Sequence, residues 1–110
     1  MHWKCSVCNL IWHGDAPPAQ CPKCGSPADK YAQLTDEQWA TVTRSRVTND
    51  LHVKLLTVLP DLQSMAKQGI EDNLDGRCVA IFEKLLADAE YLERSIKAEL
   101  NGHVMKGKWG

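Results

Sequence analysis

The chain has 110 residues, enough for one ordinary domain or for a small metal module followed by a helical segment. Hydrophobic residues make up 44% and charged residues 25%, a globular balance that excludes wholesale disorder. Thirteen Lys and Arg against fourteen Asp and Glu give a net charge of −1, which argues against nucleic acid as a partner because phosphate binding needs a basic surface. No apolar run approaches the ~20 residues of a transmembrane helix, and the N-terminus lacks the apolar stretch of a signal peptide. We therefore expect a cytoplasmic protein with no membrane partner, in which clustered cysteines bind metal rather than form disulfides.

Four of the five cysteines form two Cys-x-x-Cys pairs separated by twelve residues. Two residues between ligands let the chain make a tight knuckle, whose backbone amides point at the sulfur of the first cysteine. Gly25 follows the second pair and suits the positive φ that closes such a knuckle, and Asn9 is the matching residue of the first knuckle. Four thiolates in a tetrahedron suit zinc or a single iron. The spacing therefore predicts a metal site whose ligands are Cys5, Cys8, Cys21 and Cys24.

Further residues accompany the cysteines at set positions. Trp3 stands two residues before the first cysteine, Gly14 and Ala16-Pro17 lie between the pairs, and Pro27 and Tyr31 follow the last cysteine. Over residues 1 to about 34 this pattern resembles the short rubredoxin-like domain of rubrerythrins, apart from Asn9, where that family usually has glycine. The resemblance implies one iron ion per chain on the four cysteines, and transfer of single electrons.

The composition becomes helical after residue 34. We predict a rubredoxin-like four-cysteine metal domain over residues 1–34 and an α-helical domain over 35–110, with helices at about 36–47, 49–68 and 75–101. Thr35 and Gln38 form a capping-box sequence at the start. The β-branched residues up to Thr48 predict an end or a bend near Val47, Pro60 predicts a kink or a new start, and glycines at 69 and 102 predict stops. The fold class is a small metal-bound rubredoxin-like or zinc-ribbon knuckle module followed by an α-helical hairpin or bundle.

Two apolar stripes recur at helical spacing. They comprise Leu51, Leu55, Leu59, Leu62 and Met65, and then Cys78, Phe82, Leu85, Ala89, Leu92, Ile96 and Leu100. Cys78 is interpreted as a small buried hydrophobe, with a redox or intermolecular thiol as the alternative. A metal module of this size covers little of such a hairpin, and soluble monomers seldom leave the remaining patch exposed. We therefore expect a homodimer through the helical half.

Rubrerythrins also carry a di-iron site on Glu residues and Glu-x-x-His motifs. Here no Glu is followed three residues later by His, and the nearest pair, Glu99 and His103, has a spacing of four. No Ser-His-Asp set, P-loop or GxGxxG motif occurs either, so no catalytic residue is assigned. The sequence favours a rubredoxin-like electron carrier with an unidentified redox partner protein over a di-iron peroxidase. The alternative is a structural zinc-ribbon interaction or adapter protein, because the same thiolates bind zinc.

Overall fold

Three short strands and two long helices follow one another in the computed structural model, which describes all of residues 1–110. The strands are β1 (His2–Cys5), β2 (Ile11–His13) and β3 (Tyr31–Gln33), with one turn of 3-10 helix (Ala28–Lys30) before β3. The helices are α1 (Asp36–Asp72) and α2 (Gly76–Met105). This confirms the predicted fold class, a knuckle module followed by a helical hairpin.

The chain divides into two compact units. The first comprises Met1–Arg46 together with Lys106–Gly110, and the second comprises Val47–Met105. Residue 34 marks the passage from strand to helix, and as a domain boundary it stays a prediction. Neither helix combines the length and the apolar character that a bilayer crossing requires.

The strands of the first unit form an antiparallel sheet in the order β2-β1-β3. The central strand β1 ends at Cys5, which lies opposite Tyr31 of β3. The Trp3 indole Nε1 donates to the Gly14 carbonyl at 3.1 Å, which ties β1 to the end of β2. The small core of this unit contains Cys5, Cys21 and Tyr31, with Trp3, Cys8, Leu10 and Trp12 packed around it. The sheet thus places Cys5 and Cys21 among aromatic side chains.

Helix α1 begins with the predicted capping box. The Thr35 amide donates to Gln38 Oε1 at 2.9 Å, and the Gln38 amide donates to Thr35 Oγ1 at 3.1 Å. The helix then continues unbroken for 37 residues, so a single helix replaces the two predicted over 36–47 and 49–68. The hydroxyls of Thr41, Thr43 and Ser45 donate to carbonyls one turn back, which satisfies these polar groups inside the helix.

The predicted stop at Gly69 is also replaced by continuous helix. A Cβ atom at residue 69 would lie 2.2 Å from the Phe82 ring, so the glycine admits the close approach of α2. Pro60 lies inside α1 as well, although it has no amide to donate to the Leu56 carbonyl. The helix ends at Asp72, and Asn73 follows with a left-handed φ of 51°. Packing between the helices has therefore outweighed the local stop signals.

Helix α2 begins directly after Asp75, which caps its first turn. The Cys78 amide donates to Asp75 Oδ1 at 2.8 Å, and this bond lowers the pKa of Asp75. The helix continues to Met105 rather than ending near residue 101. Its last turn contains His103, which is buried and hydrogen-bonded to Asn49 of α1 and to Glu99. These bonds extend α2 past the expected glycine stop.

The hairpin buries a narrow core. Leu59, Ala89 and Ile96 are buried, and Leu56, Leu62 and Leu100 pack against them. Cys78 is only half-buried, and its Sγ lies 3.5 Å from Asp75 Oδ2, so it belongs to the polar start of α2 rather than to this core. Several members of the predicted stripes stay largely exposed, namely Leu51, Leu55, Met65 and Leu92.

Candidate metal centre

Each Cys-x-x-Cys pair closes into a knuckle by a backbone hydrogen bond. The Asn9 amide donates to the Cys5 carbonyl and the Gly25 amide donates to the Cys21 carbonyl, both at 2.9 Å. Asn9 has a φ of 65° and Gly25 a φ of 80°. The predicted left-handed positions are therefore confirmed in both knuckles, one filled by glycine and the other by asparagine, which tolerates this conformation.

The two knuckles share a second hydrogen bond that the sequence did not indicate. The Cys5 amide donates to the Leu10 carbonyl at 2.9 Å, and the Cys21 amide donates to the Ser26 carbonyl at 2.7 Å. Because the two loops have the same bonding pattern, they present their cysteines in equivalent ways. The loops therefore bring four sulfur atoms together from two distant parts of the chain.

The four sulfur atoms lie at the corners of a small polyhedron. All lie within 4.8 Å of one another, and the separations are 3.7 Å from Cys5 to Cys24 and 3.7 Å from Cys8 to Cys21. A tetrahedral ion with metal–sulfur bonds of ~2.3 Å holds its sulfurs about 3.8 Å apart. These distances exclude disulfides, whose sulfurs are ~2.05 Å apart. The four cysteines thus form a cluster of the size that a tetrahedral metal ion needs.

Burial differs sharply between the four thiols. Cys5 and Cys21, the first cysteine of each knuckle, are buried in the aromatic core. Cys8 is half-buried and Cys24 is exposed. One side of the cluster is therefore shielded from water, and the other side, formed by the second cysteines, lies at the protein surface.

Hydrogen bonds to the Cys21 thiol counteract the effect of burial on its pKa. Burial works to raise the pKa of this thiol, but the Tyr31 hydroxyl and the amides of Cys24 and Lys23 outweigh it and lower the pKa to about 6. The Tyr31 hydroxyl is itself buried and has no hydrogen-bond partner of ordinary geometry. Its own pKa is raised by burial and by Cys21. This hydroxyl and these amides are hydrogen-bond donors, so they favour the anionic form of the Cys21 sulfur as their acceptor.

The two cysteines on the less buried side of the cluster, Cys8 and Cys24, have pKa values shifted in opposite directions. The Ser26 hydroxyl lies 3.2 Å from Cys24 Sγ, and hydrogen bonds from the Ser26 side chain and amide lower the pKa of Cys24. The Leu10 amide acts in the same direction at Cys8, but burial and the other three sulfurs raise the pKa of Cys8 to about 11. Crowded sulfurs resist joint ionisation, and a bound cation removes that resistance because coordinated thiols are deprotonated.

Several other cysteine, histidine and glutamate side chains lie outside this cluster. Cys78 is not among the gathered thiols. His13 pairs with His2, its Nδ1 lying 2.9 Å from His2 Nε2. Glu99 and His103 bond to each other at 3.1 Å within α2. Sequence reasoning missed Ser26 as a bonding partner of the cluster, although its place two residues after the second cysteine matches that of Leu10 in the first knuckle.

Comparison with known proteins agrees with the cysteine geometry. Residues 3–32 match the family model described as "Rubrerythrin, rubredoxin-like domain". The chain is also 28% identical over 81 residues to "Reverse rubrerythrin-1" of Clostridium acetobutylicum, a match that covers 72% of this chain and 39% of that protein. The match thus takes in less than half of the relative's length. No solved structure matches the chain. The segment 3–32 is therefore a rubredoxin-like domain of the rubrerythrin type, and helical sequence follows it.

Proposed function

We propose that the four cysteines hold one iron ion and that the protein transfers single electrons through this centre. One observation carries the proposal: four sulfurs at tetrahedral spacing lie within a segment that matches the rubredoxin-like domain. A bound iron would supply the change between two oxidation states one electron apart. This chemistry uses the four-cysteine centre alone, and it supports the proposal of an electron carrier over that of a di-iron peroxidase.

The residues of the two knuckles hold the sulfurs in place. Backbone hydrogen bonds set the positions of Cys5 and Cys21, and amides of Lys23 and Cys24 point at Cys21 Sγ. The amide-to-carbonyl bonds of the knuckles do not involve the sulfurs, so they hold the sulfur positions nearly fixed when the charge at the centre changes. A small rearrangement of this kind favours rapid electron transfer.

The unequal burial of the four cysteines favours electron transfer through the exposed side of the centre. The aromatic core excludes water from the Cys5 and Cys21 side, and a drier environment shifts the reduction potential of such a centre. Cys24 is exposed, so a redox partner protein is expected to approach this side.

Metal analysis combined with a visible spectrum tests the proposal. Protein purified from iron-replete cells is expected to contain one iron per chain and to be red, with sulfur-to-iron absorption bands that bleach on reduction. A colourless protein with stoichiometric zinc from those cells would overturn the iron proposal and favour the structural zinc ribbon.

Single substitutions test the ligand set separately from the metal's identity. Cys24→Ser is expected to impair metal binding, because one of four thiolates is lost. Cys78→Ala is the matched control and is expected to keep the full metal content. Loss of metal from the Cys78 variant, with retention in the Cys24 variant, would refute the assignment of the ligands.

We also infer that the helical half joins two copies of the chain. Leu51, Leu55, Val58, Leu62 and Met65 follow one another in steps of four and three, the spacing of a coiled-coil seam. The hairpin contact instead uses a neighbouring face of α1 that includes Asn49, Leu59 and Gln63. Leu62, at the edge of the seam, also packs in the hairpin core, and the other four residues of the seam remain largely exposed.

The exposed fractions support a partner on this seam. They are 54% for Leu51, 45% for Leu55, 47% for Val58 and 51% for Met65. On α2, Ile81 and Leu92 are also exposed, and helical periodicity places them on the same side of the hairpin as the seam. A second copy offers the same apolar face, so a two-fold axis would bury like against like in a four-helix bundle.

A further inference from the structure

The hydroxyl of Tyr31 is a buried polar group that the fold leaves without a partner. Tyr31 is only 8% exposed, and its hydroxyl oxygen forms no hydrogen bond of ordinary geometry with any other group of the chain. A hydroxyl removed from water costs free energy unless it is hydrogen-bonded. Buried polar groups of folded proteins are nearly always bonded, so this hydroxyl requires a partner close by.

The surroundings of Tyr31 contain sulfur atoms and apolar groups. Tyr31 forms one small core with Cys5 and Cys21, and strand pairing places it directly opposite Cys5. The side chains packed around this core are Trp3, Cys8, Leu10 and Trp12. A tryptophan side chain can only donate a hydrogen bond. The side-chain acceptors that this core offers to the hydroxyl proton are therefore the cysteine sulfurs.

Among these sulfurs, that of Cys21 is the one on which the hydroxyl acts. Burial raises the pKa of the Cys21 thiol, and the Tyr31 hydroxyl has the largest of the opposing effects. A thiol is a weak hydrogen-bond acceptor, whereas an ionised acceptor forms short and strong bonds. A bound metal ion keeps its cysteine ligands deprotonated. Metal binding therefore turns Cys21 into the acceptor that the Tyr31 hydroxyl lacks.

We propose that the Tyr31 hydroxyl donates a hydrogen bond to the metal-bound sulfur of Cys21 and thereby raises the reduction potential of the centre. The bond withdraws electron density from the sulfur, and the reduced centre gains more from it because it carries one more negative charge than the oxidised centre. The electron comes from the redox partner protein, and the hydroxyl proton stays on the tyrosine oxygen throughout. The change in potential rests on the proposed iron centre, whereas the hydrogen bond requires only a bound metal.

Burial distinguishes this hydroxyl from the one on the other side of the centre. The Ser26 hydroxyl lies 3.2 Å from Cys24 Sγ, and Cys24 is exposed, so water can replace that hydroxyl. Cys21 is only 2% exposed and lies among apolar side chains, where a replacing water would lack further hydrogen-bond partners. A dry environment also strengthens a charge-assisted bond. The Tyr31 hydroxyl should therefore influence the centre more than the Ser26 hydroxyl does.

Nuclear magnetic resonance of the full chain, loaded with a magnetic isotope of cadmium, tests the hydrogen bond itself. Cadmium is a soft divalent ion that four thiolates bind. We expect a Tyr31 hydroxyl proton that exchanges slowly with water and shows a scalar coupling to the cadmium nucleus, transmitted through the Cys21 sulfur. The signal should vanish in Tyr31→Phe and persist in Tyr91→Phe, the matched control, because Tyr91 is 64% exposed on α2. A fast-exchanging or uncoupled Tyr31 hydroxyl proton would overturn the proposal.

Potentiometric titration of the iron-loaded chain tests the consequence. At a fixed applied potential, the ratio of ferrous to ferric protein is expected to be about three- to tenfold lower for Tyr31→Phe, which corresponds to a potential about 30–60 mV lower for a one-electron couple. Tyr91→Phe should leave the potential unchanged, and Ser26→Ala should lower it less than Tyr31→Phe does. Metal content and circular dichroism show whether each variant folds. An unchanged or higher potential in folded Tyr31→Phe would overturn the proposal.

These measurements separate the role of Tyr31 from the proposed function. The cadmium coupling is measured on the unmodified chain, so it decides the hydrogen bond even where Tyr31→Phe does not fold. Zinc in protein from iron-replete cells would overturn the iron proposal but would leave the cadmium measurement, and the titration of chain loaded with iron after purification, unaffected. A red protein with one iron per chain, whose potential does not respond to Tyr31→Phe, would overturn the role of Tyr31 alone.

Discussion

Asn9 and Gly25 occupy equivalent places in the two knuckles, and both have a left-handed backbone. Their amides close the turns that position Cys5 and Cys21. A residue with a Cβ atom pays an energetic cost in this conformation, and asparagine pays less of it than most. The geometry of the metal centre therefore rests on two residues that are not themselves ligands.

Replacing these residues with alanine is expected to destabilise the metal module. Asn9→Ala and Gly25→Ala should each lower the free energy of unfolding by about 1 kcal/mol, because alanine is disfavoured at positive φ. Urea unfolding of the metal-loaded protein measures this. Val7→Ala in the same knuckle is the control, since Val7 is exposed and does not have a positive φ. Equal stability of all three variants would contradict the account.

At the scale of elements, two glycines inside helices differ in whether the space beside them is occupied. Gly69 of α1 faces the Phe82 ring, whereas no atom lies within 4 Å of the position that a Cβ would take on Gly102 of α2. Glycine inside a helix is otherwise unfavourable compared with alanine. Close packing explains the first glycine, and no contact within the described chain requires the second.

The same substitution at these two positions should have opposite effects. Gly69→Ala is expected to destabilise the hairpin by about 1–3 kcal/mol, because the new methyl group collides with Phe82. Gly102→Ala is expected to stabilise it by about 0.5–1 kcal/mol through helix propensity. Thermal unfolding followed by circular dichroism compares the two, and a stabilised Gly69 variant would show that the Phe82 contact is unimportant.

A polar contact also joins the two helices. Gln63 of α1 donates to the Glu93 carboxylate of α2, and Lys97 lies 3.2 Å from the same side chain. The hydrogen bond from Gln63, then that from Lys97, lowers the pKa of Glu93. A folded-state pKa below the unfolded one means that this contact stabilises the hairpin above the unfolded value of ~4.3, and that the contribution is lost as the pH falls through the folded pKa.

The stability of the hairpin should accordingly depend on Glu93 in acid. Between about pH 5 and pH 3 the free energy of unfolding is expected to fall less steeply for Glu93→Gln than for the unmodified chain, because the variant has no carboxylate to protonate. Urea unfolding at a series of pH values measures both slopes. Identical slopes would mean that the Gln63 contact does not stabilise the fold.

At the scale of the whole molecule, the uncovered seam of α1 predicts self-association. Unmodified protein is expected to sediment as a dimer at tens of micromolar. The double variant Leu55→Glu, Val58→Glu should sediment as a monomer and keep its metal, since charge on the seam opposes burial. Val53→Glu is the matched control, because Val53 is exposed on the opposite side of the same helix. Sedimentation of the unmodified chain as a compact monomer would refute the dimer.

The features that local sequence determined are those whose partners lie a few residues apart. The two Cys-x-x-Cys pairs, the left-handed positions at Asn9 and Gly25, and the capping box at Thr35 are all present as expected. A turn or a cap is formed by neighbouring residues, so its residue types identify it. The clustering of the four thiols followed because each knuckle presents its sulfurs in a fixed way.

Only the tertiary structure decided how the helices are used. The continuity of α1 through residues 47–49 and past Gly69 depends on packing against α2, which local propensity does not contain. Helix α1 has two overlapping faces that could pack against α2. The face that does so is the one on which Asn49 and Gln63 form hydrogen bonds with α2. This arrangement leaves Leu51, Leu55, Val58 and Met65 of the seam exposed. Helical periodicity shows that both faces exist, but which one is buried depends on the partner helix, whose approach involves residues far away in the chain.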